Sequence, residues 1–236
     1  MKKVLGGIRK ACDAFGLIEE NDVVAVGVSG GKDSVALFYA LSAYQHYSPV
    51  PFTFFGVCVD LGNPEFDIAP VKAMAEKQNV PLYVVKTDIA EIVFDVRKEK
   101  SPCSLCAKMR KGALMEEAKK RGATKVALGH HRDDLLETFL MSFVYEGRLF
   151  ALKPKTYMSR IDLTQIRPMI YLDEKEIKSA VKKYNLPVVA SGCRVDGETK
   201  RKEASELVKS ILKNNPKAKE AMITAITKKE SYDLWQ

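Results

Sequence analysis

The stretch Val23-Val24-Ala25-Val26-Gly27-Val28-Ser29-Gly30-Gly31-Lys32-Asp33-Ser34 constrains the fold more than any other. An apolar run stops at Ser29-Gly30-Gly31, and Lys32 to Ala43 then reads as a helix. A strand that passes through a tight glycine turn into a helix N-terminus aims several backbone N–H groups outward. The helix dipole adds partial positive charge at the same place, so the turn suits an anion. Ser29 and Ser34 contribute hydroxyls and Lys32 a cation, which makes phosphate the expected anion. The turn is not a Walker loop: Val26 stands where the first glycine belongs, and Asp33 stands where Ser or Thr should follow the lysine.

The rest of the chain repeats this alternation. Phe52–Val59 reads as a strand ending at Asp60-Leu61-Gly62-Asn63-Pro64, Ile68–Gln78 as a helix, and Pro81–Val85 as a short strand. Ser104–Lys120 is helical, Lys125–Leu128 a strand, and His131–Tyr145 a helix. Gly147–Asp162 reads as irregular, Gln165–Tyr171 as a last strand, and Asp173–Tyr184 as a helix capped by Asp173. From Glu198 onward two basic helices are broken at Asn214-Asn215-Pro216. The expectation is an α/β fold: a parallel sheet of about five strands, helices on both faces, and a small C-terminal helical appendage. Ligands of such sheets sit at the carboxyl ends of the strands where strand order reverses, which gathers Ser29–Ser34, Val59, Asp60, Gly129 and His130 at one rim.

Two further motifs carry chemistry. Gly129-His130-His131-Arg132-Asp133-Asp134 follows a strand, and Asp133 and Asp134 are available to hold Mg²⁺ on phosphates. The same acids would also cap a helix N-terminus, where negative charge is favourable anyway. Cys103-Ser104-Leu105-Cys106 suits half a zinc site, a redox dithiol or no site at all. No second Cys-x-x-Cys exists, and the other cysteine in a loop is Cys193. Three thiolates suit a four-iron, four-sulfur cluster with one iron left open, and they accept zinc as well. Arg110 lies four residues past Cys106, on the same helical face. Cys12 and Cys58 fall in a helix and a strand pattern and read as small buried hydrophobes.

Charge is unevenly placed. The net charge is +8, and Arg97 to Lys125 carries ten basic residues against three acids, which favours a polyanionic partner or a solvated basic helix face. With 46% hydrophobic and 29% charged residues the chain is an ordinary globular one, not a disordered one. No apolar run is long enough to span a bilayer, and Met-Lys-Lys leads into a mixed helix in place of a signal-peptide core, so the expected compartment is the cytoplasm, with no membrane partner.

Ser-Gly-Gly-Lys-Asp-Ser resembles the pyrophosphate loop of the N-type ATP pyrophosphatases. Together with Cys-Ser-Leu-Cys-x-x-x-Arg, Gly-His-His-x-Asp-Asp-x-x-Glu-Thr, Gly147-Arg148-Leu149 and Ile166-Arg167-Pro168, it resembles the tRNA 2-thiocytidine synthetases in order from about Val23 to Cys193. That resemblance implies a PP-loop, HUP-like catalytic domain over residues 1–190, followed by a helical segment over 191–236. It implies ATP at Ser29, Gly30, Gly31, Lys32, Asp33 and Ser34, a 4Fe-4S cluster on Cys103, Cys106 and Cys193, and residues important for turnover at Asp33, Arg110 and Asp134. The activity implied is adenylation of the C2 carbonyl of a tRNA pyrimidine, cytidine 32 in this branch, followed by replacement of the oxygen with sulfur. The sulfur comes from a donor protein such as a cysteine desulfurase, or from free sulfide. The related thiouridine branch often has lysine at the position of Arg110 and carries terminal zinc-finger cysteines that this chain lacks. The chain is also compact for the family, which leaves a homodimer as one way to complete an RNA-binding surface. Lysidine synthetase, a sulfur-handling enzyme on a small molecule, and an iron–sulfur or zinc sensor that binds nucleic acid are the alternatives. Lysidine synthetase needs no cysteine triad, the small-molecule enzyme would not bind tRNA, and the sensor leaves Asp33 and the phosphate loop unexplained.

Overall fold

A computed structural model describes residues 1–98, 102–190, 192–193 and 200–228. Its sheet has six strands in the order β3-β2-β1-β4-β6-β5. The first four are β1 (Asp22–Gly27), β2 (Phe52–Asp60), β3 (Leu82–Lys86) and β4 (Lys125–Ala127). β5 (Lys155–Met158) and β6 (Leu163–Ile166) complete it, and every neighbouring pair is parallel except β5 with β6. The chain builds outward from β1 through β2 to β3, then crosses back to lay β4 on the other side of β1. Strand order therefore reverses between β1 and β4, and the crevice for a ligand opens at their carboxyl ends.

Alternation along β2 shows how the sheet is covered. Phe54 and Gly56 face α2 (Lys32–Gln45): the Phe38 ring lies 5.6 Å from that of Phe54, and a Cβ at Gly56 would come within 2.8 Å of Phe38. Phe55, Val57 and Val59 point the other way, into a core with Leu114, Met115 and Ala118 of α5 (Pro102–Lys120). That core also takes Ile89 from the short helix α4 (Ile89–Glu91) and Val93 from the π-helical turn Ile92–Val96 that continues it. On the α2 face, α1 (Lys2–Phe15) and α7 (Glu174–Lys183) pack beside α2. α3 (Ala69–Lys77) links β2 to β3.

The elements follow the sequence reading except at residues 89–96, which it left without an element, and in the last two strands. The stretch 155–158, read as irregular, is an edge strand, and the last parallel strand is Leu163–Ile166, shorter and earlier than Gln165–Tyr171. Asp162 sits at φ 54 after the N–H groups of Ile161 and Asp162 bond the Met158 carbonyl, so the chain turns back tightly enough to pair β5 with β6. Pro168 has no N–H and cannot continue a ladder. Asp173 caps α7 as expected, with its N–H donated to the Glu176 carboxylate at 3.0 Å in a capping box.

The chain forms two compact units. Met1–His131 with Pro154–Cys193 is the sheet unit, and Arg132–Lys153 with Arg194–Gln236 is the second. In the second unit α6 (Arg132–Glu146) packs on α8 (Lys200–Asn214), with α9 (Ala218–Thr227) beyond it. This division differs from a boundary at 190/191, because α6 groups with the C-terminal helices and not with the sheet. Among the described residues no helix is long and apolar enough to cross a membrane.

Candidate active site

The glycine turn after β1 is held by its own two serines. Ser29 N–H donates to Ser34 Oγ at 3.0 Å, Ser34 Oγ donates to the Gly31 carbonyl at 2.9 Å, and the two hydroxyls are 3.1 Å apart. Gly30 takes φ +83, where a side chain is strained whatever the space. Gly31 is the N-cap of α2 and has no side chain to satisfy the first N–H groups, which leaves them to an anion.

Lys32 Nζ is shared between Asp33 Oδ2 at 2.8 Å and Glu174 Oε1 at 3.0 Å. Burial alone would lower the Lys32 pKa, but the two carboxylates outweigh it and the pKa is raised. Burial pushes Glu174 up, yet hydrogen bonds and charge from Lys178 and Lys32 pull it down to about 2. Nothing near Lys32 in the sequence announces Glu174, which the fold brings in from the start of α7. The other oxygen of Asp33, Oδ1, is buried, makes no hydrogen bond and lies 3.6 Å from Nε2 of the buried His131.

The loop after β4 closes on this turn from the other side of the switch point. A Cβ at Gly129 would lie 3.0 Å from the carbonyl group of Asp33 and 3.1 Å from the amide nitrogen of Ser34, so only glycine lets the two loops meet. Arg167 Nε donates to His130 Nδ1 at 3.2 Å, which places the neutral ring's proton on Nε2. Ser29, Val59, Leu61, Asn63, Phe66 and Arg110 line one crevice at the ends of β1 and β2. Asp60 stands at its margin, with Oδ1 accepting the Gly62 N–H at 2.9 Å.

Arg110 connects this crevice to the cysteines. Burial raises the Cys106 thiol pKa, the Arg110 guanidinium lowers it, and negative charge on Cys193 and Cys103 raises it again. Cys106 thus lies within electrostatic reach of both other thiols, although 87 residues separate it from Cys193. Among the described residues no three His, Cys, Asp or Glu side chains stand in metal-ligand geometry. The donor set fits a cationic metal or an iron–sulfur core by its chemistry: such a group would relieve the mutual repulsion of the thiolates and favour their deprotonation. Cys12 and Cys58 are buried and pushed up to about 11, inert as expected of small core residues. None of the five cysteines, all among the described residues, is in a disulfide.

Asp133 and Asp134 belong to the second unit. Asp133 pairs with Lys219 at 2.8 Å and Asp134 with Arg201 at 3.0 Å, and Arg132 reaches Glu220 at 2.7 Å. These pairs tie the first turn of α6 to α8 and α9.

A pyrophosphate-type loop at the switch point of a parallel sheet defines a class, and comparison with known proteins agrees with it: the PP-loop domain family matches residues 7–201. The chain belongs to the PP-loop family and, within it, to the family of the tRNA-cytidine(32) 2-sulfurtransferases. The protein of that name from Geobacter metallireducens is 35% identical over 228 residues, covering 95% of this chain and 89% of its own length. Its counterpart from Geobacter sulfurreducens is 34% identical over the same span. Among solved structures, the U34-tRNA thiolase NcsA from Methanococcus maripaludis with its [4Fe-4S] cluster superposes with a TM-score of 0.79. It covers 95% of this chain and 76% of its own, and at 23% identity it supports the fold.

Proposed function

We propose that the protein is an ATP-dependent tRNA 2-sulfurtransferase acting on cytidine 32. The observation that carries the reading is that Cys106 feels the charges of Cys103, Cys193 and Arg110, and that Arg110 also lines the crevice of the phosphate loop. In this reading Ser29 to Ser34, with Val59, Asp60, Gly129 and His130, hold ATP. Asp33, Arg110 and Asp134 serve turnover.

The loop N–H groups and Lys32 hold the phosphates so that the C2 oxygen of the base attacks the α-phosphorus and pyrophosphate leaves. Fixed N–H groups and one cation stabilise charge on the departing phosphates without forming a bond to the protein. The Lys32 ammonium must exchange one of its carboxylates for phosphate oxygen as ATP enters. Arg110 stays charged throughout, so it binds anions and steadies thiolates and does not shuttle protons. The C2–O bond of the adenylate is then exchanged for C2–S with loss of AMP. A 4Fe-4S cluster bound by the three cysteines supplies an open iron for exogenous sulfide. Asp133 and Asp134 are the carboxylates that would hold Mg²⁺, and each would first have to give up its ion pair, with Lys219 and Arg201 respectively. The target base lies in an RNA loop, where it is free to leave its stack. The cytoplasm, a cysteine desulfurase or free sulfide as sulfur source, and a homodimer complete the proposal.

The experiment is anaerobic purification with iron and sulfide assay, followed by mass spectrometry of tRNA nucleosides from a strain lacking the gene. Loss of 2-thiocytidine, restored by the wild-type chain and not by Cys193→Ala, is expected. Unchanged nucleosides in that strain would overturn the reading.

A further inference from the structure

The segment that carries the third cysteine is fastened to the phosphate loop. Val189 N–H donates to the Gly30 carbonyl at 3.0 Å, and a Cβ at Gly30 would collide with Val189 Cγ2 at 2.2 Å. Val189 therefore sits on the bare α-carbon of Gly30, in a place that only glycine leaves open. Leu186, buried, anchors the near end of this segment. At the far end Gly192 takes φ +61, and a Cβ there would lie 3.3 Å from Asn63, whose side chain lines the same crevice as Ser29 and Arg110. Cys193 comes next. From Val189 to Cys193 is four residues, so its α-carbon lies at most about 14 Å from the contact on Gly30.

The hydrogen bond fixes more than position. In a trans peptide the carbonyl and the following N–H point in opposite directions. Holding the Gly30 carbonyl toward Val189 turns the Gly31 N–H away from that strap, toward Ser29 Oγ at 3.3 Å. Gly31 is the N-cap of α2, so the set of its peptide aims the first-turn N–H groups that follow it. One peptide plane thus has the cysteine-bearing strap on one edge and the Gly31–Ser29 hydrogen bond that shapes the phosphate loop on the other.

We propose that Val189 is a positioning residue that couples nucleotide binding to the placement of the Cys193 thiol. It rests on the reading above for what the two sites bind. A nucleotide held by the first-turn N–H groups of α2 holds the Gly30–Gly31 peptide in its present orientation, and that orientation keeps the Val189 contact in place. Binding at one site then favours the ordered form of the other, and the coupling is the same in both directions.

The test uses the full chain, reduced and metal-free, without tRNA. Alkylation of Cys193 by iodoacetamide is followed by peptide mass spectrometry, with and without a saturating non-hydrolysable ATP analogue and Mg²⁺. The analogue is expected to slow Cys193 alkylation at least fivefold. Val189→Ala keeps the N–H and retains most of that protection, whereas Val189→Pro removes the N–H and reduces protection to less than twofold while still binding the analogue. Should the proline variant not fold, amide hydrogen exchange at Val189 in the wild-type chain is read instead: the analogue is expected to slow it at least fivefold, and unchanged exchange would overturn the coupling. No protection in the wild-type chain, or equal protection in the wild-type and proline chains, would overturn the coupling. A protein that shows the coupling but never thiolates tRNA would refute the function and leave the coupling standing.

Discussion

Asp33 Oδ1 lies buried without a hydrogen bond, 3.6 Å from Nε2 of His131, while Oδ2 of the same carboxylate holds Lys32 at 2.8 Å. One carboxylate thus links the first turn of the helix that follows the phosphate loop with the loop that follows β4, across the point where strand order reverses. A buried acceptor left unmade costs about 1–3 kcal/mol, so a small closing of the gap to His131 is favourable whenever a bound nucleotide draws the two loops together.

Replacing Asp33 by Asn should lower single-turnover pyrophosphate release by about 10²-fold or more, the scale of losing a fixed charge at a reacting phosphate. His131→Gln keeps a donor but shifts it, and a drop of about tenfold with an unchanged unfolding midpoint is expected. An unchanged rate in His131→Gln would separate the pair from turnover.

Glu174 competes with phosphate for Lys32. Glu174→Gln leaves Lys32 with Asp33 alone, so ATP binding should tighten by a few-fold, measured by calorimetry with the non-hydrolysable analogue. The same substitution removes a group whose folded pKa is depressed from 4.5 to about 2. Such a group stabilises the fold above its unfolded pKa, and the contribution fades as pH falls from about 4.5 toward 2. The stability gap between wild type and Glu174→Gln should be full at pH 6 and shrink across that window in urea titrations. A constant gap would place the effect elsewhere.

Most of the sheet unit was legible because β1 to β4 come from largely apolar runs bounded by turn residues. Ser29-Gly30-Gly31 declared its role because its composition suits a phosphate and little else. The edge pair β5–β6 was not legible: four-residue strands with mixed polarity carry little periodicity, and their turn rests on Asp162 at positive φ. Glu174 and Val189 were missed for a different reason. Each acts through one contact to a residue more than 140 positions away, Glu174 to Lys32 and Val189 to Gly30, and a single sequence holds no trace of such pairs. The four-residue spacing sets Arg110 near Cys106, but its second neighbour, the crevice at Ser29, comes from the packing of α5 on the sheet.

The electrostatics around Cys106 give two predictions of opposite sign. Arg110 lowers the Cys106 pKa and negative charge on Cys193 raises it. Arg110→Met should therefore move the pH midpoint of Cys106 alkylation upward, and Cys193→Ala should move it downward, both read in the metal-free chain by peptide mass spectrometry. Arg110→Lys keeps the charge and should leave the midpoint near that of the wild type. A Cys193→Ala chain with an unmoved Cys106 midpoint would show that the two thiols do not sense one another.

The amino end of the same strands is held by a buried charge cluster that takes no part in the chemistry. Lys125, 4% exposed at the start of β4, pairs with Asp22 at 2.6 Å at the start of β1, and Thr124 Oγ1 donates to the other oxygen of Asp22 at 2.6 Å. Burial opposes the charge on Asp22, but these bonds outweigh it and its pKa is lowered. Lys125→Met strands that carboxylate in the interior and should destabilise the protein by about 3–5 kcal/mol in urea unfolding. Adding Asp22→Asn removes the stranded charge and should recover much of the loss. ATP affinity should stay within twofold in both chains, since Gly129 and His131 leave β4 at its other end. If the double variant were no more stable than Lys125→Met alone, the penalty would come from the packing of the lysine stem and not from the uncompensated carboxylate.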